Sequence, residues 1–458
     1  MARGRPRGRR GARRLDPRRP RLKDPQLAAH ERVRRFVDVE IVRLRPRRKD
    51  PAGKVATALA FNAALGDPQR SQPSVQVAGT AGKGSTCQLV AHALRAAGLR
   101  VGLHTSPYLQ AFCEKTWIDG RYASGPELEA ALEPVRPVAL RFAADEAGPA
   151  SVHGLTSLAV SYNSFAAAGL DLAVHETGCG GRFDLVQGLE RALCLVSDLA
   201  LDHEQALGPG LERIAWHKAG IFEPDVPAAA LVGEGFEVLA REAERVGAPL
   251  TPVDPAALFV APDRLRLPRL GEVALPGPQR GFRARNLALA ASGLDLLSER
   301  WPLRAEHVAA ACAAPPLPGR LEEVAPGVIL DAAHNPHELR ACLDSLAAPG
   351  ELTVLLALSG AREPASLVAE LPSDAHLIAT TLELYGKEVV PAAALVAAAA
   401  ARGLSAEAVD PPEAALEAAL ARGGPLLVTG SLFLIGRLRD RWFPTRDVIA
   451  QGTSWPTR

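Results

Sequence analysis

The sequence predicts an α/β protein with two domains, each built on a mostly parallel sheet. Short apolar segments such as Val75–Gly79 and Asp171–Glu176 alternate with amphipathic segments of helical length such as Ser85–Gly98. Strands that alternate with helices form parallel sheets covered by helices on both faces. Proline is dense over residues 301–320, which places a linker and a change of domain near residue 300.

The first alternating region begins after a basic N-terminal segment. Pro51–Leu65 is predicted to be helical, and Val75–Gly79 is predicted to be a strand that enters a glycine-rich turn. A helix is predicted over Gly210–Phe222. Residues 249–280 are rich in proline and β-type residues, which indicates a small antiparallel excursion, and the helix that follows, 283–299, leads to the linker.

A second, smaller region after the linker again alternates strands and helices. We therefore predict four segments: a disordered basic arm (1–50), a larger α/β domain (51–298), a smaller α/β domain (299–445) and a tail (446–458). The alanine-rich helices of the smaller domain are typical of plain helix formers that pack through small contacts.

The charge distribution is uneven. Residues 1–50 hold 19 Lys and Arg against 6 Asp and Glu, a net charge of +13, which leaves 34 against 45, or −11, for the rest. The arm could attract a polyanion or could be a solvated tail. The acidic remainder lacks interleaved aromatic and basic residues, which disfavours nucleic-acid binding as the main function.

The sequence also indicates the compartment. No apolar run approaches the ~20 residues that a membrane helix needs, and the basic start is not followed by the apolar core of a secretory signal. Six cysteines show neither a CxxC pair nor regular spacing, which argues against a zinc site and a disulfide framework. We predict a cytoplasmic monomer that contacts no membrane.

Lysine is rare in this chain. Only 7 of the 53 basic residues are lysine, and Lys83 and Lys218 are among them. Because lysine and arginine differ in geometry and reactivity, a lysine in such a background indicates a position that needs a primary amine.

The turn after the first strand, "GTAGKGST", has the features of an anion site. Gly79, Gly82 and Gly84 let backbone N–H groups point inward, and the following helix adds its positive N-terminal end. Lys83 can reach terminal phosphates, and the Ser85 hydroxyl can bind Mg²⁺. Because an extra glycine separates Lys83 from Ser85, the spacing differs from the usual phosphate loop, and a purely structural tight turn is the alternative.

Two later strand ends carry polar side chains. Glu176 ends a buried strand at the edge where open α/β sheets bind ligands, and a carboxylate there could hold Mg²⁺. The alternatives for Glu176 are a helix cap or a solvated side chain. His203 follows the next apolar strand, and a histidine in that position could equally be a packing or a surface residue.

Six ordered blocks then resemble one known family. "VAGTAGKGSTCQLVAHALRAAGLRVGLHTSPYL", "VHETGCGGRFD", "LALDHEQALGPGLERIAWHKAGIF", "LPGRLEEV", "VILDAAHNPHELRACLDSL" and "LLVTGSLFLIGRLR" are similar to blocks of the folylpolyglutamate synthase/dihydrofolate synthase family of the Mur ligase superfamily. The blocks lie between Val77 and Arg439, and the resemblance as a whole covers about residues 51–440. The resemblance implies a P-loop-type ATPase domain followed by a smaller Rossmann-like ligase domain.

The resemblance also implies residue roles. Lys83, Lys218 and His203 would be catalytic, and Arg182 and Asp184 would lie on the substrate side. Magnesium, in two ions, would be held by Ser85, Glu176, His203 and by Lys218 if CO₂ carbamylates it. The residues implied to contact ATP are Gly79, Thr80, Gly82, Lys83, Gly84, Ser85, Thr86, Asn286, Arg320, Asp331 and His334.

The implied reaction is ATP-driven amide synthesis. A substrate carboxylate takes the γ-phosphoryl group to form an acyl phosphate, and an amino-acid amine then displaces phosphate. The leading hypothesis is addition of L-glutamate to dihydropteroate, to reduced folates, or to both. The alternatives are a related ligase that joins a different carboxylate and amine, and a non-catalytic family member that binds nucleotide or partners.

Several positions depart from the family pattern. Ala81 stands where asparagine is usual, Tyr108 where histidine is common, and Phe282 where the family has a histidine. His153-Gly154 replaces Phe-Glu, and Leu185–Gln187 changes a loop that helps hold the pterin in the family. Residues 357–364, "ALSGAREP", lack the usual Asp-Lys pair. Because the phosphate and metal positions are kept, these departures leave the ATP chemistry intact and the acceptor open.

Overall fold

The computed structural model describes residues 24–44, 51–144, 151–346, 351–360, 362–384 and 388–451. They form a large sheet and a smaller one, each covered by helices, with a three-stranded antiparallel sheet between them in the sequence. This arrangement confirms the predicted α/β class. No helix in these ranges is long and apolar enough to cross a membrane.

The large sheet has eight strands in the order β4-β3-β2-β5-β1-β6-β7-β8. All neighbours are parallel except the β2–β3 and β3–β4 pairs. The central strand β1 lies between β5 and β6, so the carboxyl ends of these three strands are adjacent. The strands are β1 (Ser74–Ala78), β2 (Val101–His104), β3 (Thr116–Ile118), β4 (Arg121–Tyr122), β5 (Leu172–Glu176), β6 (Arg191–Val196), β7 (Ala228–Leu231) and β8 (Leu250–Val253).

Most helices of this part of the chain share one large apolar cluster with the sheet. The helices are α1 (Pro25–Arg35), α2 (Val42–Leu44), α3 (Pro51–Ala63), α4 (Lys83–Ala96), α5 (Gly125–Leu132), α6 (Val135–Ala144), α7 (Val152–Ala168), α8 (Glu204–Leu207), α9 (Leu211–Lys218), α10 (Phe236–Val246), α11 (Pro255–Leu258), α12 (Gly281–Leu297) and α13 (Ala305–Ala313). A π-helical segment, Phe36–Ile41, and 3₁₀ turns at Pro68–Arg70, Phe112–Lys115 and Ala219–Ile221 complete the set. Helices α9 and α10 pack on β6 and β7 in a second cluster.

The predicted antiparallel excursion is confirmed for residues 259–274, whereas Leu250–Val253, at the start of the predicted range, is the parallel strand β8 of the large sheet. It consists of β9 (Phe259–Ala261), β10 (Arg264–Leu267) and β11 (Gly271–Ala274), with β10 in the middle. The sheet packs through Leu265, Leu267 and Val273 onto the first core.

The prediction of a disordered arm is wrong for residues 24–44. Asp24 caps α1 by accepting a hydrogen bond from the Gln26 amide at 2.8 Å. Apolar side chains at helical spacing then insert into the first core: Val33, Phe36, Val37 and Ile41. This apolar face was missed by the sequence analysis because arginines on the other side of the helix dominate the charge pattern. The remainder of the arm lies outside the described residues.

The domain boundary also lies later than predicted. Helix α13 buries Val308 and Ala311 in the first core, so it belongs to the larger domain although it follows residue 299. The smaller sheet begins only at Glu322.

The smaller sheet has six strands in the order β12-β13-β17-β14-β15-β16, and only the β12–β13 pair is antiparallel. Its strands are β12 (Glu322–Ala325), β13 (Val328–Leu330), β14 (Thr353–Leu356), β15 (His376–Ala379), β16 (Ser405–Ala408) and β17 (Leu426–Thr429). The helices are α14 (Pro336–Ser345), α15 (Pro364–Val368), α16 (Ala392–Ala400), α17 (Pro412–Arg422), α18 (Leu432–Arg439) and α19 (Thr445–Gln451). The predicted tail is therefore helical up to residue 451, and Val448 packs into the first core.

Candidate active site

The candidate site lies where three neighbouring strands of the large sheet end. Gly79 follows β1, Glu176 ends β5, and Asp198 follows β6. Because β1 pairs in parallel with both β5 and β6, the loops after them converge at one edge. Residues from all three loops and from the second domain line a single cavity of about 250 Å³.

The turn after β1 has the conformation of an anion cradle. Gly79 and Gly82 have φ values of +149° and +80°, which favour glycine. A Cβ at Gly79 would lie 1.9 Å from the Ser197 hydroxyl, and a Cβ at Gly82 would lie 2.1 Å from the Asn286 side-chain oxygen. Helix α4 begins at Lys83, so its free N–H groups and positive end face the cavity.

Two lysines meet beneath this turn. Lys83 Nζ donates to the carbonyls of Gly79 and Thr80, each at 3.0 Å. Lys218, at the end of α9, is 3% exposed and donates to the Gly79 carbonyl at 2.6 Å. Burial, followed by the charge of Lys83, lowers the pKa of Lys218 to about 7. A substantial neutral fraction of the Lys218 amine therefore exists near neutral pH.

Glu176 is held against the start of α4. Its carboxylate accepts a hydrogen bond from the Ser106 amide at 2.8 Å, and a Cβ on Gly84 would lie 3.6 Å from both of its oxygens. Burial raises the pKa of Glu176, and the nearby charge of Lys83 opposes that rise. Glu176 and Ser85 line the same cavity.

The predicted metal ligands are only partly assembled. Ser85, Glu176 and His203 line the cavity, whereas Lys218 lies below the turn. His203 has a φ of +55°, is more than half exposed and lies 3.6 Å from the Asp202 carboxylate. Within the described ranges no three His, Cys, Asp or Glu side chains approach as a metal-binding group. The oxygen and nitrogen donors present suit Mg²⁺, and the four-residue set stays a prediction.

The second domain and α12 supply the opposite wall. Arg320, Asp331 and His334 all line the cavity, and their contact with ATP stays a prediction. Asp331 is buried and accepts hydrogen bonds from the amides of Leu321, at 2.8 Å, and Ala333, at 2.9 Å, which fixes both flanking turns. His334 Nδ1 lies 3.1 Å from the Glu338 carboxylate.

Asn286 lacks a partner for its side chain. It is 2% exposed, lines the cavity, and neither of its amide atoms has a hydrogen-bond partner. A buried amide without partners is costly, and the nucleotide contact predicted for Asn286 would complete its hydrogen bonding. Thr86, in the first turn of α4, likewise has a buried hydroxyl without a partner.

The two predicted substrate residues are not among those that line this cavity. The Arg182 guanidinium stacks 4.1 Å above the Trp216 ring and pairs with Glu242 at 2.6 Å. Asp184 is buried and accepts the Val186 amide at 3.0 Å, within its own loop. Substrate contact by Arg182 and Asp184 stays a prediction, and both stabilise the loop after β5.

Several lining residues were missed by the sequence analysis. They are Ser106, Thr177, Asp198, Asp202, His337 and Glu338, and Phe282 was noted only as a departure from the family pattern. Asp198 and Asp202 could have been found, since both follow β6 at the predicted ligand edge. Glu338 lies in the first turn of α14 and accepts a hydrogen bond from the His334 amide at 3.1 Å, a contact that its residue type alone does not signal.

Comparisons with known proteins agree with this architecture. Residues 319–432 match the family described as Mur ligase, glutamate ligase domain. A probable bifunctional folylpolyglutamate synthase/dihydropteroate synthase of Haloferax volcanii is 30% identical over 84% of this chain. The chain spans 48% of that relative's length.

Two solved structures are similar over most of both chains. A Mycobacterium tuberculosis folylpolyglutamate synthase complexed with ADP has a TM-score of 0.80 and 28% identity, covering 91% of this chain and 99% of its own. A bifunctional folylpolyglutamate synthase/dihydrofolate synthase with Mn, AMPPNP and L-glutamate bound has a TM-score of 0.75 and 26% identity, covering 88% and 96%. Residues 319–432 thus belong to the Mur ligase, glutamate ligase domain family, and the three relatives of the whole chain are named as folylpolyglutamate synthases.

Proposed function

We propose that this protein is an ATP-dependent ligase that adds L-glutamate to the carboxylate of dihydropteroate, of reduced folates, or of both. The observation that carries the proposal is the cavity shared by two domains. Residues 80–85 of the turn and Glu176 form one wall, and Arg320 and His334 form the other. The solved relatives with bound ADP, and with AMPPNP and L-glutamate, support this assignment.

The residues fit a nucleotide and a divalent cation. The N–H groups at the start of α4 and Lys83 would hold the phosphates, and the unpartnered Asn286 amide would meet the nucleotide. Ser85, Glu176, His203 and a carbamylated Lys218 would hold Mg²⁺, in two ions. Bound Mg²⁺ neutralises charge on the transferring phosphoryl group.

The reaction has two steps in this proposal. The acceptor carboxylate attacks the γ-phosphorus of ATP, giving an acyl phosphate and ADP, while Lys83 and the turn amides stabilise the charge that shifts onto ADP. The glutamate amine then attacks the acyl carbon, phosphate leaves, and the amine loses a proton. Because both domains wall the cavity, they would exclude water that could hydrolyse the acyl phosphate.

One observation favours a second candidate, a related ligase with a different acceptor. Tyr108 and His153, which both depart from the family pattern, hydrogen-bond to the same carboxylate, that of Asp38, at 2.7 and 2.9 Å. The substitutions are thus coupled through the N-terminal segment, and they could accommodate a different carboxylate substrate. Monomeric state and cytoplasmic location remain predictions.

Phosphate release tests the proposal. The protein is incubated with ATP, Mg²⁺ and L-glutamate, together with dihydropteroate in one assay and tetrahydrofolate in another. Release that depends on either acceptor is expected. If neither acceptor causes phosphate release but ADP still binds tightly, the result would favour a ligase with a different acceptor or a non-catalytic nucleotide-binding protein. Glu176→Ala should raise the Mg²⁺ concentration needed for turnover, and an unchanged requirement would contradict its role.

A further inference from the structure

The segment after β2 extends from the reaction centre to the second domain. Its first part, Ser106, donates its amide to Glu176, as described above. Three residues later, the Leu109 side chain packs against the apolar core of the second domain. A Cβ on Gly436 of α18 would lie 2.1 Å from the Leu109 carbonyl oxygen, so the two backbones are in direct contact.

Glu114 makes this segment compact. Its carboxylate accepts hydrogen bonds from three consecutive amides, those of Leu109 at 2.6 Å, Gln110 at 3.0 Å and Ala111 at 2.9 Å. A carboxylate that accepts hydrogen bonds from several consecutive amides restrains the backbone around it. A displacement at Gln110 would therefore be transmitted along the backbone toward Ser106.

Arg439 holds Gln110 from the second domain. The guanidinium is 1% exposed, stacks 4.2 Å above the Phe443 ring, and donates from Nη1 to the Gln110 side-chain oxygen. The Gln110 amide group donates in turn to the Phe443 carbonyl at 2.9 Å and the Thr445 hydroxyl at 3.3 Å. The polar atoms of the Gln110 side chain are thus all bound to the C-terminal part of the chain.

The same guanidinium also binds Glu322, the residue at which the linker enters the smaller sheet. Arg439 donates to the Glu322 carboxylate from Nε at 2.8 Å and from Nη2 at 2.7 Å. Glu322 also accepts the Gly319 amide at 2.8 Å, and Gly319 immediately precedes Arg320 of the cavity wall. One buried side chain thereby connects the segment that carries Ser106 with the segment that carries Arg320.

We propose that Arg439 is a positioning residue, which through Gln110 holds Ser106 against Glu176 and through Glu322 holds Arg320 on the opposite wall. A fully buried, bidentate arginine fixes geometry, because its donors have defined directions. This inference rests on the proposed function only in assigning Mg²⁺ binding to Glu176. The contacts between Arg439, Gln110 and the Ser106–Ala111 backbone are independent of the substrate.

Two variants separate this role from general stability. Arg439→Lys keeps a cation beside Glu322 but cannot reach Gln110 as well, and Gln110→Met leaves the pair between Arg439 and Glu322 intact. The matched control is Arg437→Met on the same helix, since Arg437 forms only a half-exposed pair with Glu413. Amide hydrogen exchange of residues 106–111 and the Mg²⁺ dependence of ADP binding are measured for each.

Both variants should speed exchange at 106–111 and weaken Mg²⁺-dependent ADP binding by about tenfold, as loss of a residue that orients a metal ligand does. ADP binding in EDTA should stay unchanged, and the effects of the two variants should be less than additive in the double variant, because both remove the contact between Arg439 and Gln110. Arg437→Met should match the wild type. Unchanged exchange at 106–111, or uniformly faster exchange across the second domain, would overturn the inference.

These readouts do not require turnover. If the wild-type protein released no phosphate with any acceptor, the proposed function would fail, while the exchange and ADP-binding results would still decide the role of Arg439.

Discussion

Lys83 and Lys218 donate to one carbonyl oxygen, that of Gly79, at 3.0 and 2.6 Å. Two ammonium groups that share an acceptor repel each other, and burial adds to the cost of charging Lys218. The neutral amine that results is the form that reacts with CO₂.

We therefore expect Lys218 to carry a carbamate. After incubation with ¹³C-bicarbonate, the protein should show a carbamate carbon resonance that is lost in Lys218→Arg, and Lys218→Arg should lower turnover by about a hundredfold. Lys54→Arg, on α3, is the control and should keep the resonance. Wild-type turnover in Lys218→Arg would contradict the carbamate role.

Gly82→Ala should abolish nucleotide binding. The substitution places a Cβ 2.1 Å from the Asn286 oxygen and strains a residue with φ of +80°, so the turn must open. Gly98→Ala provides a matched control, because Gly98 has φ of +88° with open space around its Cβ position. Both variants should lose about 1 kcal/mol of stability from the backbone. Titration calorimetry should show a loss of ADP affinity in Gly82→Ala only. Equal ADP affinities of Gly82→Ala and Gly98→Ala would show that the turn is merely structural.

Asn286→Leu should stabilise the protein and weaken ADP binding. The variant removes a buried amide without partners, so the free energy of unfolding, measured by thermal unfolding, should rise by about 1 kcal/mol. ADP affinity should fall about tenfold. The contrast is Asn163→Leu, since Asn163 donates to the Ala131 carbonyl at 3.0 Å. That variant should destabilise the fold and leave ADP affinity unchanged. An Asn286→Leu protein that binds ADP normally would place the nucleotide elsewhere.

Acid should loosen the N-terminal segment through His30. Its ring is 2% exposed and accepts the Cys113 amide at 3.2 Å, and burial lowers its pKa to about 4, with Glu31 and Asp38 opposing and Arg34 adding to the shift. Because the folded pKa lies below the unfolded value of 6.5, stability is complete above pH 6.5 and is lost as pH falls toward 4.

At pH 5 this loss amounts to about 2 kcal/mol. His30→Gln keeps an acceptor and does not titrate, so its urea midpoint should fall less than that of the wild type between pH 7.5 and pH 5. Buried His175 and His92 titrate in both proteins and cancel in the comparison. Equal falls in the two midpoints would exclude His30 as the cause.

The parts of the site that the sequence predicted are local in the chain. The turn Gly79–Ser85 combines glycines, a lysine and a helix start within seven residues, so its geometry follows from residue types alone. Glu176 and His203 were placed by the rule that parallel strands end at one edge. The bidentate pair that Arg439 forms with Glu322 spans more than a hundred residues, and no periodicity signals such a contact.

The misplaced domain boundary has a related cause. Proline density predicted a linker and a change of domain near residue 300, but α13 forms within that segment and packs on the first core. Local composition detects where a chain can bend, whereas tertiary packing decides where it leaves a domain.

The docked helix α1 bears on protein engineering. Because residues 1–44 are basic and rich in arginine, a protein engineer would consider deleting them to improve expression. That deletion would open a cavity where Phe36 and Ile41 now lie, leave Tyr108 and His153 without the Asp38 carboxylate, and uncover α19, which packs against α1. A trimmed gene that starts at residue 24 or earlier retains all three contacts.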